Sequence, residues 1–503
     1  MNTTSRSNLP LILLPQAKLL VHLATYQGYG MFRDEYYYLA CADHLAWGYV
    51  DQPPFSMAVL WLGNLLMGDS LLAVRLLPAL AGAGTVLLAG LMVRRLGGGV
   101  AAQSLAMIAV IAAPYHLALD HFFSMNAFDI LIWALAAYLI MGLAEKATLR
   151  AWLFLGVVLG FGLMNKMSVL WLGMGLLVGI LATDRRRWLR TPGPWLAAGL
   201  AGLIFLPHIL WQVANDWPTL EFIRNAGQNK MATIQPIQFM TRQLMMMNPL
   251  SLPLWLGGLI WLLISARGRR FRLLGIIYLT VLALLLLNGT SRAGYLGPAY
   301  IWLLAAGSVW VEGLSRRLAW GTAGVLVISG AVLAPLAIPI LPVERYIPYA
   351  AALGEAPSTE ERKEVAALGQ FYADMHGWEE IAGVVSAAYG QLTPAEKEKA
   401  AFFAYNYGDA GAISRLGRSM DLPPAISGHN NYWLWGPGDF DGQVAIIIGD
   451  SREDHLASFA SVTQAGMVDC GYCMPYENNR PVWICRGLKR PVTEVWPDLK
   501  HYD

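Results

Sequence analysis

Charge is scarce in this chain of 503 residues: Asp, Glu, Lys and Arg make up 14% of it, against 56% hydrophobic residues. With a mean hydropathy of +0.44, that shortage excludes an ordinary soluble enzyme and marks an integral membrane protein. A net charge of +2 points away from nucleic acid and from acidic-tail proteins. Cysteine is rarer still, with Cys41, Cys470, Cys473 and Cys485, and the last three crowd into sixteen residues. Dinucleotide, P-loop, zinc-protease and nucleophile-elbow patterns are missing, and no internal repeat is visible. The N-terminus lacks the basic region and small-residue cleavage site of a secretory signal. Residues 9–26, interrupted by Lys18 and His22, therefore read as a first, rather polar span.

What is abundant is apolar sequence in runs of membrane length. A hydrocarbon core about 30 Å thick needs roughly 20 apolar residues per helix. Runs near 9–27, 70–93, 100–118, 126–144, 151–165, 167–183, 195–213, 248–265, 272–288, 297–313 and 319–341 give an expectation of about eleven spans. Basic residues recur at every second loop: Arg94 and Arg95, Lys146 and Arg150, Arg185 to Arg187 with Arg190, the Arg267–Arg272 run, then Arg316 and Arg317. The positive-inside rule makes those loops cytoplasmic. The opposite loops are acidic, with Asp34, Glu35, Asp43, Asp51, Asp69, Asp120, Asp129, Asp216 and Glu221. An odd number of spans then puts the tail outside.

Composition changes after Pro348. The expected division is a transmembrane domain over 1–345 and a small soluble α/β domain over 346–503. The tail has helix-like charged stretches, STEERKEVAALGQFYADM and TPAEKEKAAFF, and a strand-like VAIIIG at 444–449. An oxidising compartment suits a disulfide joining Cys470 or Cys473 to Cys485, while zinc at CGYC lacks a fourth ligand.

The first outer loop runs about forty residues, long enough to be folded or functional. DEYYYLACADHLAWGY reads as a helix, and FSMAVLWLGNLLMG sets Phe55, Val59, Leu62 and Leu66 on one face, so two helices along the membrane surface are expected. Asp34 has two readings there: an N-cap for a helix starting at Glu35, or a functional acid at the membrane edge. Asp129 in LDHFFSMNAFDIL is expected just inside the boundary, where a carboxylate is costly and marks function, unless it only caps its helix.

The outer Asp34-Glu35 pair, DQPPF, AVRLLPAL, NAFDILIW, GLMNKMSVL and RAGYLGPAYIW together resemble the bacterial GT-C glycosyltransferases, relatives of the protein O-mannosyltransferases and the lipid A aminoarabinose transferase. The resemblance covers essentially the membrane part. It implies a polytopic α-helical GT-C fold and inverting transfer of a sugar from a polyprenyl-phosphate donor. The acceptor would be an envelope lipid, glycan or protein at the periplasmic face of a bacterial inner membrane. By motif, Asp34 is the catalytic base, Glu35 its support and Asp129 the second acid. One departure is Gln52, which stands where aminoarabinose-type members place a lysine before two prolines. Asp51 resembles a metal ligand of some relatives, but no cofactor is required, and a divalent metal stays an open alternative.

The chemistry asks for the same parts without the name: a base on the incoming hydroxyl and cations on the departing phosphate. The candidate substrate-binding residues are Lys166, Arg224, Arg242 and Arg292, with Asp120 and Tyr295 beside them; each cation is equally readable as a snorkelling anchor. NDWPTLEFIRN, at 215–225, is either a mobile flap or an interfacial helix. His429, Asn430, Asn431, Tyr432, Trp433 and Trp435 suit sugar binding or plain domain core. A transporter or flippase for a lipid-linked sugar is the competing class, and a scaffold presenting the tail a third.

Overall fold

A computed structural model describes residues 8–503; residues 1–7, the start of the expected membrane domain, lie outside the described residues. The apolar runs become helices: α1 Leu9–Thr25, α4 Leu71–Arg95, α5 Val100–Ile111, α7 Met125–Glu145, α8 Leu149–Asn165, α9 Val169–Leu181, α10 Pro192–Ala214, α13 Leu252–Ile264, α14 Arg272–Leu287, α15 Tyr300–Leu314 and α16 Arg316–Leu333. Among the described residues six helical stretches are long and apolar enough to cross a membrane, or seven if the bent pair Pro236–Met246 (α12) and Pro249–Ile264 counts as one. The other runs are broken short. The expected 100–118 span stops at Ile111 because Pro114 disfavours helix in the residue before it, and resumes as α6, Pro114–Leu119.

Close backbone approach holds the bundle. A Cβ on Gly258 would collide with the Leu303 carbonyl and one on Gly307 with that of Leu254, so α13 and α15 touch through two glycines. Lys18, which made the first span look polar, is enclosed and pairs with Asp120 at 2.9 Å while donating to the His116 carbonyl. Between α1 and α4 lie the two anticipated loop helices, α2 (Arg33–Asp43) and α3 (Phe55–Met67). The third connection that matters carries α11, Pro218–Asn225.

The tail holds a five-stranded sheet in the order β2-β1-β3-β5-β4. β1 (Ala400–Ala404) pairs in parallel with β2 (Ala425–Ser427) and β3 (Val444–Ile448), while β5 (Pro481–Leu488) runs antiparallel to β3 and to β4 (Phe459–Met467). Every residue of β3 is buried, as a fully covered strand requires. The helix Tyr407–Leu416 crosses from β1 to β2 and packs on α2. Gly408 and Gly411 permit this contact, since a Cβ would stand 2.6 Å from Arg33 Cγ or 2.9 Å from the Tyr36 carbonyl carbon.

Two expectations are corrected. STEERKEV is not helical: helix begins only at Gln370, and Glu361 instead makes a bridge with Met231. Tertiary contacts override a propensity of a few tenths of a kcal/mol per residue. The disulfide joins Cys470 to Cys473, whose Cα atoms are 5.7 Å apart, while Cys485 is a free thiol buried in β5.

Candidate functional site

The tail meets the helical bundle at α2, and the Asp34-Glu35 pair divides there. Glu35 points inward and is fully enclosed. Its Oε1 accepts from Arg75 Nε at 3.2 Å and the Phe123 amide at 2.8 Å, its Oε2 from Arg75 Nη2 at 2.9 Å and the Phe32 amide at 2.8 Å. The cap that sequence offered to Asp34 is therefore made by Glu35, and the helix starts at Arg33. Arg75 also donates to the carbonyls of Tyr26 and Gly30, so this ion pair ties α4, the α1–α2 connection and the loop before α7 together.

Asp34 points the other way. Its side chain is 28% exposed, and among the described residues its one hydrogen-bond donor is the Tyr407 hydroxyl, at 3.0 Å. Arg33 Nε stands 3.7 Å from it, while the same guanidinium bonds the Tyr476 hydroxyl at 2.7 Å and faces Asp374 at 3.4 Å. Nearby, Tyr37 donates to Asp51 at 3.0 Å, and burial pushes the Asp51 carboxyl up to about 6, with the charge of Asp34 adding to the rise.

Tyr407 forms part of the wall of a cavity of about 640 Å³ between bundle and tail, lined also by Arg33, Lys230, Glu361, Asn406 and His429. Lys230 feels Glu361, Asp503 and Asp34, yet burial lowers its pKa. The Glu361 carboxyl is raised by burial but held below its usual range by Lys230, Arg33 and Arg292.

Beside the cavity, acids of the tail hold two of the predicted phosphate ligands. Arg242 lies 3.0 Å from Glu360; Arg292 lies 3.0 Å from Glu361 and 3.8 Å from Glu360. Arg292 leads by one turn to Tyr295, whose ring carries the Lys166 ammonium at 5.0 Å. Lys166 sits at the break between α8 and α9, donates to Asn126 at 2.6 Å and stands 3.9 Å from Asp129, which accepts from Ser168 at 2.6 Å. Asp129, Lys166, Tyr295, Arg292 and Arg242 thus form one band. Two predicted residues stand apart: Asp120 is consumed by Lys18, and Arg224 is exposed on α11 without a partner among the described residues.

Other expectations resolve into packing. Glu221 of α11 meets Lys500 at 2.7 Å, Thr219 bonds Gln212 and Tyr49, and Asn225 bonds the Tyr502 carbonyl, so the 215–225 segment is tied down on several sides. In the aromatic stretch, Asn431 accepts the Val50 amide and Trp435 stacks on His44, docking the tail on the first loop; only His429 of that group lines the cavity. His429, His501 and Asp503 bring potential metal-ligand atoms within 4.8 Å of one another. The donor set does not fit an ion well. His429 Nδ1 accepts the Tyr407 amide at 3.3 Å, which leaves the proton on Nε2, aimed at Asp503.

Sequence reasoning missed Tyr407, Lys230, Glu360 and Glu361. The YNYGDAGAI motif held the one usable signal, a helix start with glycines three apart beside a tyrosine.

Residues 51–211 match the family model described as dolichyl-phosphate-mannose-protein mannosyltransferase. The structure is similar to that of ArnT from Cupriavidus metallidurans bound to undecaprenyl phosphate, with a TM-score of 0.63 and 16% identity over 95% of this chain and 98% of that one. The chain has the GT-C fold, and the similarity to the mannosyltransferase model is confined to residues 51–211. A second GT-C likeness is to the arabinofuranosyltransferase AftD from Mycobacteria, at a TM-score of 0.52 and 15% identity, over 96% of this chain but 40% of that longer one. No curated protein matches the chain in sequence.

Proposed function

We propose that the protein is an inverting glycosyltransferase that moves a sugar from a polyprenyl-phosphate carrier to an envelope acceptor, at the periplasmic face of a bacterial inner membrane. The observation that carries this reading is the half-open carboxylate of Asp34, bonded by the cavity-lining Tyr407 and within electrostatic reach of Lys230 and Arg292. Asp34 takes the proton of the acceptor hydroxyl as its oxygen attacks the anomeric carbon. The bond from that carbon to the carrier's phosphate oxygen breaks, and the phosphate leaves with the electron pair.

Arg242, Arg292 and Lys166 receive the developing phosphate charge, which requires Glu360 and Glu361 to give up the two arginines. Asp129 holds Lys166 in place through the pair at 3.9 Å. Glu35 acts as a positioning residue, since all of its approach directions are filled by donors. Undecaprenyl phosphate, the lipid in the ArnT structure, is the natural first carrier to try. The test is incubation of purified protein with a polyprenyl-phosphate sugar and an envelope extract, following label transfer. Transfer that persists unchanged in Asp34→Asn removes Asp34 from the role of base.

A further inference from the structure

Lys166 and Arg292 belong to the cation band at one end of the bundle. From Lys166 the chain runs along α9 to a 3-10 turn, Asp184–Arg190, and from a second turn, Gly268–Phe271, α14 leads back toward Arg292. α9 and α14 pack side by side, with Gly175 against Ile277 and Gly179 against Leu273. At 1.5 Å per residue these helices carry both turns about 20 Å from the cation band, to the end that the positive-inside rule makes cytoplasmic. The proposed transfer uses nothing there.

The two turns are written in arginine: DRRRWLR and RGRRF hold seven of them and no lysine. Arg186, Arg187, Arg190, Arg267, Arg269 and Arg270 are exposed, and among the described residues none of the six has a carboxylate within 4 Å. The seventh, Arg185, is half-buried. It donates to the Ala144 carbonyl at the end of α7 at 3.0 Å, lies 5.1 Å over the Trp188 ring and meets Asp184 only at 4.0 Å. Burial lowers its pKa, and against the pull of Asp184 the charges of Arg187 and Arg270, one from each turn, lower it further. Segments some eighty positions apart thus set like charges side by side, with Asp184 the one acid in either turn. The adjoining helix ends are apolar and open: Leu181 of α9, Trp195 of α10 and Ile264 of α13 are exposed, and Trp195 donates to the Leu189 carbonyl at 2.9 Å, an indole at headgroup level.

We propose that the two arginine turns form a binding site for an anionic phospholipid with two phosphates, a headgroup of the cardiolipin type. Arg187 of the first turn and Arg270 of the second each take one phosphate, and the acyl chains lie along Leu181, Trp195 and Ile264. Arginine suits this better than lysine, because its planar fork meets phosphate oxygens in pairs. Basic pockets between spans on the cytoplasmic side are where such headgroups bind. A single phosphate engages one turn; two phosphates bridge both and relieve the repulsion between them. The site is separate from Asp34 and stands whether or not the transfer reading does.

The test titrates the delipidated full chain in detergent with cardiolipin, phosphatidylglycerol and phosphatidylcholine, and reads bound lipid by native mass spectrometry. Cardiolipin is expected to bind at least about tenfold more tightly than phosphatidylglycerol, since one further charge-assisted hydrogen bond is worth that factor, and phosphatidylcholine more weakly than both. Arg187→Gln combined with Arg270→Gln loses that margin at an unchanged melting temperature. Either substitution alone lowers cardiolipin affinity about fivefold, the contribution of one basic residue near an anionic headgroup. Arg316→Gln combined with Arg317→Gln, an exposed basic pair on another loop of the same face, keeps the margin. Equal affinity for cardiolipin and phosphatidylglycerol overturns the two-phosphate site, and phosphatidylcholine binding as tightly overturns the site altogether. A margin that survives in the Arg187 and Arg270 double variant, or is lost equally in the Arg316 and Arg317 one, assigns binding to the general charge of the face and overturns it as well.

Discussion

Asp34 and Glu35 are neighbours in sequence and belong to two different regions of the molecule. Glu35 enters the packed bundle, where burial demands that each carboxylate oxygen be matched, and Arg75 with two backbone amides matches them. Asp34 faces the seam between bundle and tail, holds one tyrosine hydrogen bond and keeps an open edge. A carboxylate whose lone pairs are all taken cannot receive a proton from substrate, and one with an open edge can. The seam is therefore where we propose the chemistry and the bundle where we propose its support.

The difference breaks most visibly on the bundle side. Glu35→Gln leaves Arg75 buried without its counter-ion, a loss of about 3–5 kcal/mol for a broken buried pair. It is expected to lower yield and melting temperature sharply, whereas Asp34→Asn, which keeps an oxygen to accept from Tyr407 at a half-open position, changes stability by no more than about 1 kcal/mol. Equal melting temperatures for the two variants would erase the division.

Deeper under the seam, burial pushes the Glu477 carboxyl up to about 8 and that of Asp374 up to about 7. The folded chain then keeps protons that the unfolded chain releases above the ordinary carboxylate range, so stability falls as pH rises toward 8. His429, lowered by burial to about 4, opposes this only below the ordinary histidine pKa of about 6.5. Between about pH 6.5 and 8 the melting temperature should thus drop by several degrees, measured by tryptophan fluorescence, and Glu477→Gln should flatten the slope. A temperature that rises over this interval contradicts the upward shift of those two carboxyls.

A smaller effect sharpens the role of the cation band. Glu360 and Arg242 are both more than a third exposed, so their pair is worth about 1 kcal/mol at most. Glu360→Gln frees Arg242 and is expected to tighten undecaprenyl phosphate binding about two- to fivefold by titration. Weaker binding would assign the arginines to holding the tail rather than to phosphate.

Much of the bundle is legible from local pattern, because a span or surface helix is written in consecutive residues: α2 and α3 follow from runs and loop length, while Pro114 breaks a run expected to be one span. In the band, Asp129 and Lys166 follow from isolated charges beside apolar runs, and Tyr295 from the motif that carries the family resemblance. The rest depends on partners far along the chain. Tyr407 lies 373 positions from Asp34, and Glu360 lies 118 from Arg242, so no periodicity announces either pair. The same distance effect straightened STEERKEV, where the arginines of the bundle outweigh helix propensity. Which member of an Asp-Glu pair faces in is likewise set by Arg75 across the fold.

The central claim is that Asp34 is the base and Glu35 the brace, and single-turnover transfer from a polyprenyl-phosphate sugar by Asp34→Asn, with donor binding measured on the same sample, tests it most directly. Removal of a general base predicts a rate about 10²–10⁴-fold lower with donor affinity and melting temperature retained. A wild-type rate, or a loss explained wholly by weaker donor binding or unfolding, would contradict it.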